Sequence, residues 1–493
     1  MSGEPESAAS RLARLASGAD TAIGNAIEAA VRTKHRRRLS RLGWERALDP
    51  DGDGIWAAGD PPPRQGCRLE VLVDGAKALP AIAAAIEQAR EFVYVTGWHL
   101  APHFALERGE RHAALGVLLA EAAERLDVRV MVWAGAPLPA FHPSRRQVEE
   151  AIATLTRRTR IRCERDPREH PFHCHHEKTM VIDGELAFVG GIDMTDFGGD
   201  RYDSSRHPAR RQLGWHDVAA LVRGPAVHDV YDHFALRWLE LTGESCAAIA
   251  PAPPAGEHTV QVVRTVSDGM YERLPSGDFR ILESYVRAIR SAREYIYLEN
   301  QFLWSPEVVE LLAAKLRDPP SDEFRLVVLL PAKANNGQDD TQGQLGVLIS
   351  ADDGHGRFLA ATIRSLSDGR DDPLYVHAKV GIVDDRWLTV GSANLNAHSL
   401  FNDTEMNVAT DDRELARSTR LRLWSEHLDV DPPAIAGQTP TQTVDELWRP
   451  IAFEQLRRRQ AGEEPTHRLL ELPGISRRSR RLLGPLQGLV DDG

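Results

Sequence analysis

Cysteine is scarce: four in 493 residues, at positions 67, 163, 174 and 246, with no Cys-x-x-Cys pair. That excludes a disulfide-built scaffold and fits a reducing compartment. Long apolar runs are missing too. The longest candidate, Leu79 to Ala89, is short, carries Glu87, and reads as a buried helix rather than a membrane span. The opening Met-Ser-Gly-Glu-Pro-Glu-Ser lacks the positive and apolar regions of a secretory signal. Positive charge is in deficit: 60 Lys and Arg stand against 72 Asp and Glu, a net charge of −12. Bulk nucleic-acid binding is therefore not expected, because phosphate contacts need clustered cations. The expectation is a soluble or peripheral protein, cytoplasmic or at a membrane surface. What is present is ordinary globular material, 42% hydrophobic and 27% charged, enough chain for about three domains or two large ones with extensions.

Two proline-rich stretches divide the chain. Pro61-Pro62-Pro63 closes a first segment, residues 1–60, in which Leu12, Leu15, Ala19, Ile23, Ala26, Ile27 and Ala30 recur at helical spacing before a basic run from Arg32 to Arg41. That helix could touch an anionic membrane, or could pack on the body with a solvated basic end; the second is expected, since charge runs are usually solvated faces. Residues 247–256, Ala- and Pro-rich, cannot continue a helix or a central strand and read as a stiff linker. The two bodies so defined, 61–246 and 257–430, resemble each other. Residues 85–95 align with 288–298 at an offset of 203, identical at six of eleven positions, each a helix end running into an apolar strand. Val128 to Trp133 and Phe324 to Leu329 are the next matching strands. Alternating helices and buried strands in both copies predict an α/β fold, duplicated about a pseudo-twofold axis. Residues 431–493 are expected to form a tail packed on the body.

The repeat sharpens at His176-Glu-Lys178 and His377-Ala-Lys379. At a shared offset of 201, each His is followed by Lys at +2, Asp at +7 (Asp183, Asp384), Gly at +14 and a carboxylate or amide at +17 (Asp193, Asn394). Turn signals at the two Asp residues predict hairpins, and strand alternation puts each His and its Lys on one face. The Asp then falls at the turn, placed to orient neighbours, and the glycines are expected to let the backbone approach a ligand. A His beside a Lys, delivered twice, suits phosphoryl chemistry. Two lysines and an amide can hold phosphodiester charge, one neutral imidazole can attack phosphorus, and one protonated imidazole can release the alcohol. Each imidazole then needs a carboxylate on its other nitrogen. Asp203 follows His176 by 27 residues and Glu405 follows His377 by 28, so these near-equal offsets make them the expected orienting acids.

The paired H-x-K-x-x-x-x-D motifs resemble the phospholipase D superfamily. His175-His176-Glu177-Lys178, residues 187–193, Trp215-His216-Asp217 and residues 297–302 look like its eukaryotic-type branch, over roughly residues 65–430. The resemblance implies two phospholipase D-like lobes, each a mixed sheet flanked by helices, with one active site between them. It implies phosphatidyl transfer from a glycerophospholipid to water or an alcohol through a phosphohistidine. His176 would be the nucleophile and His377 the acid and then base, with Asp183 and Asp384 completing the two catalytic triads and Lys178, Lys379, Asn394 and Ser392 on the phosphate. It implies no cofactor. A carboxylate at Asp193 would repel a phosphate, so Asp193 is expected to be structural or a lysine's partner.

Rival readings attach to particular residues. His170, His173, Cys174, His175 and His176 are zinc-ligand types, but their spacing fits no standard metal motif, and no metal is expected. Trp98, His99, Phe302 and Trp304 could line an entrance or belong to the core. Trp215-His216-Asp217 reads as scaffold, and Asn335 to Gly356 as a long mobile loop. The basic tail segments 457–459 and 477–481 could favour anionic lipid. A monomer acting on phospholipid, without nucleic acid, is expected; a cardiolipin-synthase-like transferase, a nuclease and a lipid-binding module without turnover are the alternatives.

Overall fold

The structure is a computed structural model, describing residues 8–108, 113–137, 142–169, 173–333, 338–367 and 369–472. Among these, one strand order occurs twice within a continuous system of 18 strands. In the first half, Arg64–Val73 pairs with Val218–Arg223, then come Leu186–Gly190, Thr179–Ile182, Phe92–Gly97, Asp127–Trp133 and Arg162–Asp166. In the second half, His258–Val266 takes the first place, followed by Glu405–Thr410, Trp387–Gly391, Val380–Val383, Tyr295–Glu299, Arg325–Leu329 and Phe358–Ser367. Both sheets are mixed, with three parallel strands at one side and an antiparallel hairpin at the centre. The strand Leu469–Glu471 extends the second sheet beyond Phe358–Ser367.

The central strands are apolar on both faces, as burial between helices demands. Phe92–Gly97 and Tyr295–Glu299 are buried throughout. Behind the first sheet, Ala226–Thr242 stacks Phe234 on Tyr94 (ring centroids 4.8 Å apart) and on Trp238 (5.8 Å). Behind the second, Trp424 of Arg413–Leu428 meets Tyr295, Tyr297 and Trp448 edge-on.

The aligned segments 85–95 and 288–298 acquire a physical reason. Each is the corner where a helix (Gly75–Gln88, Arg280–Ser291) turns into a central strand. Asp183 accepts hydrogen bonds from the backbone N–H groups of Arg90, Glu91 and Phe92, at 2.8 to 2.9 Å. Asp384 does the same for Arg293, Glu294 and Tyr295, at 2.6 to 2.8 Å. Both acids sit in the left-handed region, with φ of 55° and 54°, at the tips of the two hairpins. They fasten each hairpin tip to the neighbouring corner.

One expectation is corrected. The segment 335–356 contains the helix Gln338–Asp352, with Leu345 and Leu348 buried against Pro306–Arg317. Thr341, Gln344, Leu345 and Leu348 form a buried stripe at helical spacing that the surrounding Gly and Asp concealed. The N-terminal helix Ala8–Leu42 does dock by its basic end: Arg38 donates to Asp268, Asn402 and Ser267, and His35 Nδ1 lies 2.7 Å from Glu307. In the tail, Arg457 and Arg458 pair with Glu454, and Arg459 pairs with Asp371; segment 477–481 and His170 lie outside the described residues. No described helix is long and apolar enough to cross a membrane.

Candidate active site

The two sheets meet edge to edge through Arg64–Val73 and His258–Val266, and a second seam builds the site. Gly214–His216 runs parallel to Leu374–Val376, so His377 N–H donates to the carbonyl of His216 (2.8 Å). In the equivalent place His176 and Glu177 donate to the carbonyl of Thr404 (2.9 and 3.0 Å). In each half, then, the segment leading into the histidine pairs with a segment of the other half.

That pairing crosses the carboxylates. His176 Nδ1 lies 2.9 Å from Glu405 Oε1, and His377 Nδ1 lies 2.6 Å from Asp217 Oδ2. An ionised carboxylate only accepts, so Nδ1 carries the proton on each ring and Nε2 keeps its lone pair. Both imidazoles line one cavity of about 440 Å³, with Trp98, Phe197, Arg201, Trp215 and Gln301 among its walls. Trp215 packs against His377, ring centroids 4.5 Å apart. A larger cavity, about 760 Å³, lies between Arg64–Val73 and Arg413–Leu428, but its charged walls include neither histidine.

Each lysine bonds the backbone of its own motif's histidine. Lys178 donates to the carbonyl of His176 (2.7 Å) and Lys379 to that of His377 (2.5 Å). Lys178 is also paired with Asp193 at 3.4 Å, so the odd carboxylate is a lysine's partner. Lys379 has instead the Gln301 amide oxygen at 3.4 Å. Asn394, at the position matching Asp193, is fully buried, and neither its Oδ1 nor its Nδ2 has a partner. A buried, unsatisfied amide is costly, which marks this spot as built for a polar guest.

Burial sets the electrostatics. It pulls His176 down to about 3, with Lys178 and Lys379 adding to the effect. It holds His377 well below the usual imidazole range, again helped by both lysines and by Arg201. Lys379 is pulled down to about 7 by the same desolvation. Asp217 is pushed up to about 6 and Glu405 up to about 8, both by burial, while Lys178 and the hydroxyls of Ser392 and Ser399 draw Glu405 back toward its ionised form. We take Glu405 as ionised, because three donors converge on it. Beneath Asp217, His216 holds Asp74 and Glu299 on its two nitrogens, both at 3.0 Å, and these carboxylates raise it well above the ordinary value. A positive charge thus sits next to the carboxylate that orients His377.

Several expected roles change. Glu405 orients His176, not His377. Asp203 touches neither: it accepts from Arg210 and lies 3.5 Å from His207. The reason is strand register. Gly190 opposes Ala219, and Gly391 opposes Asn407, so Asp217 and Glu405 hold equivalent places beside the two hairpins. The chain between His176 and Asp217 is 41 residues, against 28 from His377 to Glu405, so counting equal offsets lands inside an excursion of the first half. Trp215-His216-Asp217, read as scaffold, supplies the missing acid, and strand register was the signal that could have found it. Asp183 and Asp384, the acids of the two motifs, stand at the far hairpin tips, where they tie backbone N–H groups and do not reach the cavity. Ser392 donates to Glu405 instead of facing a phosphate. Gly191 matches it, and a Cβ there would come within 2.2 Å of Asp217 Oδ1, so this glycine makes room for the acid rather than for a ligand. The histidine run splits three ways: His176 faces the cavity, His175 bonds Thr404 Oγ1 (2.8 Å), and His173 meets His398. Trp98 lines the cavity, Phe302 is core, and Trp304 is half-buried against His398.

Two similar half-sites, each completed by an acid from the other half, define a duplicated protein with one shared cavity. Residues 85–214 match the family model described as phospholipase D, and residues 285–424 match that described as cardiolipin synthase, PLD-like domain. The chain belongs to the phospholipase D superfamily. It is 27% identical over 473 residues to phospholipase D A of Dictyostelium discoideum, covering 75% of this chain and 36% of that one. It is 26% identical over 479 residues to phospholipase D alpha 4 of Arabidopsis thaliana, covering 70% and 62%. The chain thus spans between about a third and three fifths of the length of these relatives. Among solved structures, a phosphatidylserine synthase from Haemophilus influenzae overlies 72% of this chain and 84% of its own at 13% identity, with a TM-score of 0.48.

Proposed function

We propose that this protein is a phospholipase D-type phosphodiesterase and transphosphatidylase, with residues 61–246 and 257–430 as its two lobes. The observation that carries this reading is the pair of crossed imidazole–carboxylate dyads on one cavity. Neutral His176 attacks phosphorus through the Nε2 lone pair; the P–N bond forms as the bond to the headgroup oxygen breaks. His377, protonated on Nε2, gives that proton to the departing oxygen. Neutral His377 then takes a proton from water or an alcohol, whose oxygen attacks phosphorus and displaces His176. The products are phosphatidic acid, or a new phosphatidyl ester, and the free headgroup alcohol.

Electrostatics support the order of events. Both rings are neutral in the empty cavity. A bound phosphodiester brings negative charge between Lys178, Lys379 and the Asn394 amide, and that charge raises His377 toward the protonated form its first step needs. The aromatic walls suit a lipid rather than a polyanion. Similarity of the second half to the cardiolipin synthase model favours, as a second reading, a lipid alcohol as acceptor.

A panel of glycerophospholipids in mixed micelles, with and without a primary alcohol, followed by product mass, tests this. Phosphatidic acid alone, and a phosphatidyl-alcohol when alcohol is added, are expected; a lipid that binds without turnover would identify a binding module. A pH profile gives a separate check. Lys379 is charged below about pH 7 and loses its proton as pH rises, so kcat/KM, which reports the free enzyme, should fall above about pH 7. The bound anion keeps the lysine charged, so kcat should fall only at higher pH. A kcat/KM flat to the alkaline end would remove Lys379 from phosphate binding.

A further inference from the structure

Beside the catalytic seam lies a cluster that the reaction does not use. His173 Nδ1 and His398 Nδ1 are 2.9 Å apart, and His173 Nδ1 is 3.4 Å from Asp403 Oδ1. All three donor atoms lie within 4.8 Å of one another. The residues come from three places: the approach to His176, the helix Ala397–Phe401, and the turn before Glu405. Each is braced from behind. Asp403 accepts from the backbone N–H of Cys174 (3.0 Å) and its own N–H donates to the carbonyl of His398 (2.9 Å). Trp304 packs edge-on against the His398 ring at 5.4 Å. His398 and Asp403 are buried, and His173 stands at the rim, its side chain 14% exposed.

We propose that His173, His398 and Asp403 form a binding site for a divalent first-row metal ion, of the zinc class, that clamps the two halves together next to His176. Two ring nitrogens and a carboxylate oxygen converge here, and at 2.9 Å the two Nδ1 atoms need a proton on one ring to bridge them. A divalent cation can take that proton's place, gaining bonds to all three bases at once. Two imidazoles and one carboxylate suit zinc, cobalt or nickel over magnesium or calcium, and three protein ligands leave a fourth position for water. The two other clusters of this kind among the described residues, which share His216, behave differently. His216 has a carboxylate on each nitrogen, so protons already satisfy it. Around the proposed site, the ligands meet the Cys174 amide and the Trp304 ring, Asp403 also interacts with His176 and Glu405, and Arg38 is held by the adjoining Asn402 and by Asp268. The proposal does not depend on the phospholipid reading.

The test uses the full chain, stripped with chelator and dialysed, and titrated with Co²⁺. One equivalent should bind and give the visible d–d absorption of a low-coordinate site. Zn²⁺ should displace it, the Tm should rise with added Zn²⁺, and affinity should strengthen with pH as the bridging proton is released. The rim variant His173→Ala should lose at least about a hundredfold in affinity while its far-UV circular dichroism is unchanged. His398→Gln, a second ligand variant, should lose the cobalt spectrum as well. Cobalt binding equally well to both variants, or no stoichiometric spectrum in the native chain, overturns the assignment.

Discussion

His176→Asn is expected to abolish the covalent protein–phospholipid adduct and to lower turnover by at least ~10⁴-fold. The asparagine keeps a side chain that can reach Glu405 but offers no imidazole lone pair to phosphorus. His377→Asn removes a proton donor instead, so its loss should depend on the alcohol being expelled. With a good leaving group such as a p-nitrophenyl ester, attack needs little protonation; the adduct should form and then persist, because nothing deprotonates the incoming water. With a choline- or ethanolamine-type headgroup, adduct formation itself should slow. Intact-protein mass after a rapid quench reads both outcomes. An adduct found on His377 in the His176 variant would reverse the two roles, and adducts on neither in the native protein would remove the covalent path.

The depth at which the sequence could be read differs between fold and site. The hairpins, the central strands and the duplication were legible because their signals are local: an apolar run between turn residues, repeated with small change in spacing. The two motif aspartates illustrate the limit of that reading. Asp183 and Asp384 recur as faithfully as the histidines, yet each ties three backbone N–H groups at a hairpin tip. Recurrence in a duplicated chain marks whatever both copies need, and a fold needs corners as much as a reaction needs imidazoles. The orienting acids were harder. Counting residues after each histidine assumes equal connections, and the excursion through Phe197 to Gly214 breaks that assumption in one copy only. Strand pairing keeps a register that loop length does not, so equivalence runs through Gly190 opposite Ala219 and Gly391 opposite Asn407. The exchange of acids between halves has no local signal at all, because it arises only when the two seams form.

That exchange makes a prediction that residue counting would invert. Glu405→Gln and Asp217→Asn should each cost ~10³- to 10⁴-fold in kcat, the scale seen when an amide replaces the acid that fixes a catalytic imidazole's tautomer. An amide can donate its N–H to Nδ1, which moves the ring proton to Nε2, the atom that must attack or relay. The two losses should differ in kind. Glu405 serves His176, so Glu405→Gln should slow attack by a similar factor for every ester tested. Asp217 serves His377, so the loss in Asp217→Asn should shrink as the leaving alcohol becomes more acidic. Asp203→Asn, which disturbs Arg210, His207 and the Ser204 N–H but neither cavity histidine, should leave the leaving-group dependence of the native enzyme in place. If leaving-group sensitivity changes in Glu405→Gln and not in Asp217→Asn, each acid works in turnover with the histidine of its own half. The crossed pairs would then hold the resting protein without serving the reaction.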